Sequence, residues 1–189
     1  NLLLLLADQI DTTYKKREES YGEVAESIAA NVLQRWGNYL AFFPSYRYMQ
    51  EVSERFAESH PDIDILVQET GMSEREREVF LAVFAEDNAR PTVGFAVMGG
   101  IFGEGIDLVG DRLVGAAIVG VGLPQICLER DLIRHYFDEA DLPGFDYAYT
   151  FPGMNRVLQA AGRVIRTDAD RGTVLLLDRR FDQRRYRRL

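Results

Sequence analysis

Short apolar runs alternate with amphipathic stretches of about ten to fifteen residues along most of this chain, and that alternation restricts the fold more than any other feature. From Ser20 a helical period runs through Val24, Ala25, Ile28, Ala29, Val32, Leu33 and Trp36. Ser20 is placed to cap that helix, with Glu23 at the capping-box position and Gly37 as the stop. Strands are expected at 38–43, 62–67, 93–98, 113–120 and 174–178, where β-branched, aromatic and leucine residues cluster. Between them, helices are expected from Ser45 through Phe56, from Ser73 to about Glu86, from Glu129 to Ala140, and from Phe151 to Arg166. The Ser73 helix offers Val79, Phe80, Val83 and Phe84 as its apolar face. Strands that alternate with helices of this length form a parallel sheet covered on both faces, an α/β fold. In such sheets ligands gather at the carboxyl ends of the strands. Pro44-Ser45, Gly99 to Asp111 and Leu123-Pro124 are expected there.

The 189 residues suit one domain with a substantial core and an appendage. Residues 1–20 differ from the rest and are expected to be the remnant of an adjoining segment, with 21–189 forming the main domain. A chain that opens on Asn1 rather than Met is expected to be cut from a longer one. The leucine run from Leu2 to Leu6 is too short to span a membrane and has no basic segment before it, so a cytoplasmic protein with no membrane partner is expected. A single cysteine, Cys127, excludes an internal disulfide and a multi-cysteine metal site. Beside Ile126 and Leu128 it is expected to be a buried thiol. His60 and His135 lie far apart in polar surroundings, so no metal site is expected. The net charge of −8 argues against indiscriminate coating of nucleic acid. The last twelve residues nevertheless carry six arginines and two aspartates. They read as a solvated end that pairs with acidic neighbours or touches phosphate.

Gln159-Ala-Ala-Gly-Arg-Val-Ile-Arg166 is the stretch richest in chemistry. On a continuous helix Gln159, Gly162, Arg163 and Arg166 share a stripe, and Val157, Leu158, Ala160, Ala161, Val164 and Ile165 are free to pack. An amide, a bare backbone patch and two guanidinium groups suit a polyphosphate, because guanidinium binds phosphate oxygens bidentately. The plainer reading is an amphipathic surface helix whose arginines pair with Asp168 and Asp170. Some fifty residues upstream, Gly99 to Gly110 holds five glycines in twelve residues together with Glu104 and Asp107. Such a loop lets the backbone approach a ligand closely, or it is simply a tight turn with two solvated carboxylates. Its spacing fails the dinucleotide-binding fingerprint, and no phosphate loop of the Gly-x-x-x-x-Gly-Lys-Ser/Thr type occurs in the chain.

Taken together, Phe42-Phe-Pro-Ser-Tyr46, Gly103-Glu-Gly-Ile-Asp107 and Gln159 to Arg166 resemble motifs IV, V and VI of superfamily-two helicases. They look most like the XPD/DinG branch of iron–sulfur DNA helicases. The resemblance runs from about Tyr21 to the C-terminus; motif VI is its most specific part and motif IV its least. It implies a RecA-like parallel sheet with helices on both faces, the second motor domain of an ATP-dependent DNA helicase. By that resemblance Arg163 and Arg166 contact the γ-phosphate, with Arg166 as the arginine finger, and Gln159 couples the nucleotide to domain closure. Glu104, Gly105 and Asp107 belong to the same nucleotide cleft, and Ser45 and Tyr46 face single-stranded DNA. A plain N-cap serine beside a packed tyrosine is the alternative for that last pair. The family's first RecA-like domain, its partner across the cleft, is not in this sequence. By the same resemblance ATP and Mg²⁺ are shared with that absent domain, and any iron–sulfur cluster would lie only in the absent part, since Cys127 alone cannot hold one. The rival reading is a non-catalytic RecA-like module that binds nucleic acid or protein. No paired acidic nuclease motif supports an exonuclease.

Overall fold

A computed structural model describes residues 1–102, 108–165, 167 and 170–189. Among these, six strands form one sheet, all parallel. They are β1 (Leu2–Ala7), β2 (Asn38–Phe43), β3 (Asp64–Val67), β4 (Thr92–Val97), β5 (Gly115–Val119) and β6 (Gly172–Leu177), in the order β1-β6-β5-β2-β4-β3. The five strands read from the sequence are all present within two residues or so of the expected bounds. The sixth, β1, comes from the segment set apart from the main domain and pairs in register with β6, Leu2 beside Gly172 through Ala7 beside Leu177. As an edge strand it leaves Leu2, Leu3, Leu4 and Leu6 exposed.

The helices are α1 (Arg17–Gln34), α2 (Tyr46–Ser59), α3 (Glu74–Ala82), α4 (Leu128–Glu139) and α5 (Phe151–Ala161). Side chains alternate across a strand, and β2 shows the consequence. Tyr39, Ala41 and Phe43 pack with α1 and α2, whose Val24, Ile28, Val52 and Phe56 are fully buried. Leu40 and Phe42 point the other way, onto Phe80 and Phe84 from the α3 region and onto Met154, Val157 and Ala160 of α5. The sheet is thus covered on both faces.

Several local expectations are corrected. Ser20 does not cap α1, which begins three residues earlier; its hydroxyl donates to the Arg17 carbonyl and meets the Tyr48 hydroxyl at 2.6 Å. Burial of that phenol pushes its pKa up to about 12, despite the Ser20 hydrogen bond and the Arg17 charge. Helix α3 starts at the capping box Ser73–Glu76 but ends at Ala82, and Val79 and Val83 stay exposed while Phe80 and Phe84 are buried. Cys127 is exposed, not buried, because it precedes α4, a helix without a single buried residue.

Truncating a side chain in the doubly covered strand should cost far more than truncating the edge. Phe42→Ala is expected to lose about 3–5 kcal/mol of unfolding free energy, and Leu4→Ala, 59% exposed in wild type, less than about 1 kcal/mol. Urea denaturation followed by circular dichroism measures both.

Candidate functional site

Two surfaces gather the polar groups of this domain. The first lies along α5 and the loop after β4. Gly99 directly follows the strand turn with a φ of +70°, and a β-carbon there would stand 3.1 Å from Nε of Arg156 on α5. On either side of the undescribed part of the glycine-rich loop, Phe102 and Leu108 are buried in one core with Val157, Ala160 and Val164. Gly99 and Gly100 lie at the carboxyl end of β4, as expected of residues that follow a strand. Val114, before β5, is at the amino ends of the strands, where its amide donates to the Asn38 carbonyl. Glu104, Gly105 and Asp107 lie outside the described residues.

Helix α5 runs from the carboxyl ends of the strands to their amino ends. Gly153 near its start touches the loop after β5, and Val164 beyond its end packs against Gly172 at the start of β6. The helix stops at Ala161, earlier than the Arg166 read from the periodicity. Glycine inside a helix costs about 1 kcal/mol, and here Gly162 closes the last turn. The amides of Arg163 and Val164 donate to the carbonyls of Ala160 and Ala161, at 3.3 and 3.2 Å, in the tighter three-residue pattern. The continuous stripe is thereby broken: Gln159 is exposed on the helix, and Arg163 is half-buried in the turn after it. Arg166 and Asp168 lie outside the described residues. Of the apolar complement, Val157, Ala160 and Val164 are buried, whereas Leu158 faces solvent. Among the described residues no group of histidine, cysteine or carboxylate side chains is arranged to hold a metal ion.

The second surface lies at the carboxyl ends of β2, β5 and β6. Ser45 caps α2 by accepting from the Tyr48 amide at 3.4 Å, so the capping role read from the sequence holds. It lines a cleft of about 620 Å³ together with Thr12, Arg17, Gly120, Gln125 and Arg180. Tyr46, next to Ser45 at the start of α2, is not among the residues that line the cleft. Its hydroxyl accepts from Gln68 Nε2 at 2.8 Å, while Gln68 Oε1 accepts from the Val97 amide at 2.8 Å and so ties the helix start to the end of β4.

What shapes this cleft was not legible in residue types alone. Gly120 and Gly122 adopt φ of +79° and +65°, and a β-carbon on Gly122 would lie 2.6 Å from the Gly153 carbonyl oxygen. At the end of β6, Asp178 is completely buried. It accepts from Nε and Nη2 of Arg180 at 2.8 and 2.7 Å and from the Thr12 hydroxyl. Burial works against the Arg180 charge, but the hydrogen bonds and charge of Asp178 outweigh it and raise the guanidinium pKa above its ordinary value. The alternation of basic residues near the C-terminus concealed this pair. Its neighbours behave as the solvated end expected of them: Arg179 pairs with Asp11 at 3.3 Å, Arg185 with Asp146 at 3.1 Å, and Arg187 with Asp182.

With this geometry in view, the family described as helicase C-terminal domain matches residues 28–189. The chain belongs to that family. Within it, the chain is similar to the XPD helicase subunit of general transcription and DNA repair factor IIH from Arabidopsis thaliana, 30% identical over 155 residues, covering 76% of this chain and 20% of that protein. It is also similar to the ATP-dependent DNA helicase DinG from Photobacterium profundum, 30% identical over 153 residues, covering 78% of this chain and 21% of that protein. The chain spans about a fifth of the length of these two relatives. The solved structure of an XPD helicase superposes with a TM-score of 0.78 over 99% of this chain and 33% of that one, at 21% identity, and so shares the fold. This helicase C-terminal domain is therefore of the XPD/DinG type, with a RecA-like sheet. Among its described residues no helix is long and apolar enough to cross a membrane.

The buried ion pair at the end of β6 should carry far more stability than the exposed one beside it. Asp178→Ala leaves Arg180 without its buried partner and is expected to cost about 3–5 kcal/mol. Arg179→Ala breaks an exposed pair and should cost less than about 1 kcal/mol. Urea midpoints at neutral pH, with the slope held constant, distinguish the two.

Proposed function

We propose that this chain is the second motor domain of an ATP-dependent DNA helicase, working with a first RecA-like domain of the same protein that supplies the nucleotide cradle and Mg²⁺. The observation that carries the reading is the shared core of Phe102, Leu108, Val157, Ala160 and Val164. That core holds the flanks of the glycine-rich loop and the approach to Arg163 on one face of the domain. Gln159 and Arg163 meet the phosphates from this face, and Arg166 acts as the arginine finger. Glu104, Gly105 and Asp107 complete the nucleotide side. The opposite function falls to the ends of the strands, where Ser45 presents the amino end of α2 and its free amides to a single DNA strand. Closure of the two domains on ATP and reopening after hydrolysis then move the strand across that end.

Arg166→Ala in the two-domain enzyme should lower DNA-stimulated ATP hydrolysis on the order of 10³-fold or more. The melting temperature of this domain should stay nearly constant, because a finger acts in the transition state across the interface. Arg163→Ala should slow turnover too and, being half-buried, lower the melting temperature slightly. Near-normal turnover in the Arg166 variant would remove the finger from the mechanism.

Tyr46, beside Ser45 at the start of α2, is proposed to meet the same strand next to the cleft, so Tyr46→Ala should weaken binding of a single DNA strand more than binding of ATP. Tyr46→Phe separates the ring from the hydroxyl held by Gln68. Equal strand affinity in all three proteins, by fluorescence anisotropy, would leave Tyr46 only its packing role.

A further inference from the structure

The loop between β1 and α1 places an exposed aromatic ring, Tyr14, beside the cation that opens α1, Arg17. Tyr14 is 83% exposed, an extreme value for a residue of its size. It lines the strand-end cleft, and Tyr14 and Arg17 also line a second depression of about 420 Å³. The two residues are thus shared by both hollows. The Arg17 guanidinium lies over the Tyr14 ring at 5.8 Å and over the buried Tyr48 ring at 4.9 Å. Its Nε is shielded from solvent with no hydrogen-bond partner, and no carboxylate pairs with the group among the described residues. The acidic side chains nearby are otherwise engaged, Glu19 with Lys16 at 2.9 Å and Glu18 with Arg47 at 3.5 Å. An arginine held by aromatic faces rather than by an anion keeps its charge available. Across the cleft stand the capped amino end of α2 at Ser45 and Arg180, whose charge Asp178 already balances.

We infer that Tyr14 and Arg17 form a single-nucleotide subsite for single-stranded DNA, with the Tyr14 ring stacking on a base and the Arg17 guanidinium meeting the adjoining phosphate. The inference rests on the proposed function of the strand-end surface and adds two residues to it. An exposed aromatic next to a cation is what sequence-tolerant binding of a single strand uses, since every base has a π face and every linkage a charge. Neither residue touches the nucleotide side of the domain, so the subsite reads the strand and not ATP.

The intact protein is titrated with a fluorescent oligothymidylate and with an abasic strand of the same length. Tyr14→Ala should bind oligothymidylate on the order of ten-fold more weakly and the abasic strand as wild type does. Arg17→Gln should weaken both and lower the slope of log affinity against log salt by about one. Arg17→Lys, which keeps the charge, should recover most of the abasic-strand affinity and guards against a packing effect at Tyr48. A strand carrying 5-iododeoxyuridine should cross-link to Tyr14 on irradiation, identified by mass spectrometry. Wild-type affinity in Tyr14→Ala and Arg17→Gln, alongside weakened binding in Tyr46→Ala, would overturn the subsite and leave the proposed function standing. Absence of any single-strand affinity in the wild-type intact protein would overturn both.

Discussion

Burial of β2 on both faces governs where everything else in this domain can go. Each of its six residues is buried, with aromatic rings on alternating sides. A strand in that position has no polar face, so its amides and carbonyls are satisfied only by neighbouring strands, here β4 and β5. Polar chemistry is thereby pushed to the ends of the strands and to the connections that cross the covering helices. Both surfaces described above are of that kind. Asn38, the one polar residue at the start of β2, fits the same logic: its amide nitrogen is spent on the carbonyls of Ala85 and Arg112, tying two crossing loops to the sheet.

At the opposite ends, close backbone approach replaces side-chain packing. Gly122 and Gly153 leave no room for a β-carbon on either, so the loop after β5 lies directly against the start of α5. The residues just before α5, Asp146–Thr150, form a π-helical turn. Such wide turns arise where an extra residue is accommodated within helical geometry. Here the turn delivers Gly153 to Gly122 and Arg130 Nη1 to the Ala148 carbonyl at 2.9 Å. The position of α5, and with it the turn that carries Arg163, thus depends on Gly122 and Gly153, two glycines outside the glycine-rich loop.

The strands were legible because their residues cluster by type: Val, Ile, Phe and Leu runs bounded by Gly or Pro survive any choice of neighbour. What escaped had a specific tertiary cause. The leucines of β1 show no alternation, because an edge strand in a parallel sheet need not bury one face, and only pairing with β6 reveals it. Ser20 satisfied the composition of a cap, but Tyr48 offered it a better partner from α2. Cys127 had apolar neighbours, yet Ile126 and Leu128 are themselves exposed, so burial could not be inferred from them. The motif around Arg163 was legible in composition and misread in geometry: helical spacing was carried through Gly162, where the chain turns instead. The Asp178–Arg180 pair and the Tyr14–Arg17 pair join residues whose significance lies in burial and exposure, neither of which a sequence pattern specifies.

The two surfaces are connected by a single helix rather than by proximity. Arg156 sits in the middle of α5 with its side chain over Gly99, so the first residue of the glycine-rich loop and the helix leading to Arg163 share one contact. At its start the same helix abuts Gly122, whose loop lines the cleft with Ser45. A packed helix that touches the strand-end cleft at one end and leads into the Arg163 turn at the other gives the two surfaces one shared element. Close packing makes α5 such an element, since Val157 and Ala160 are locked in the core and the Gly122–Gly153 approach forbids sliding without a clash. A β-carbon at Gly153 would stand 2.7 Å from the Val121 carbonyl oxygen and force the start of α5 away from the loop that lines the cleft.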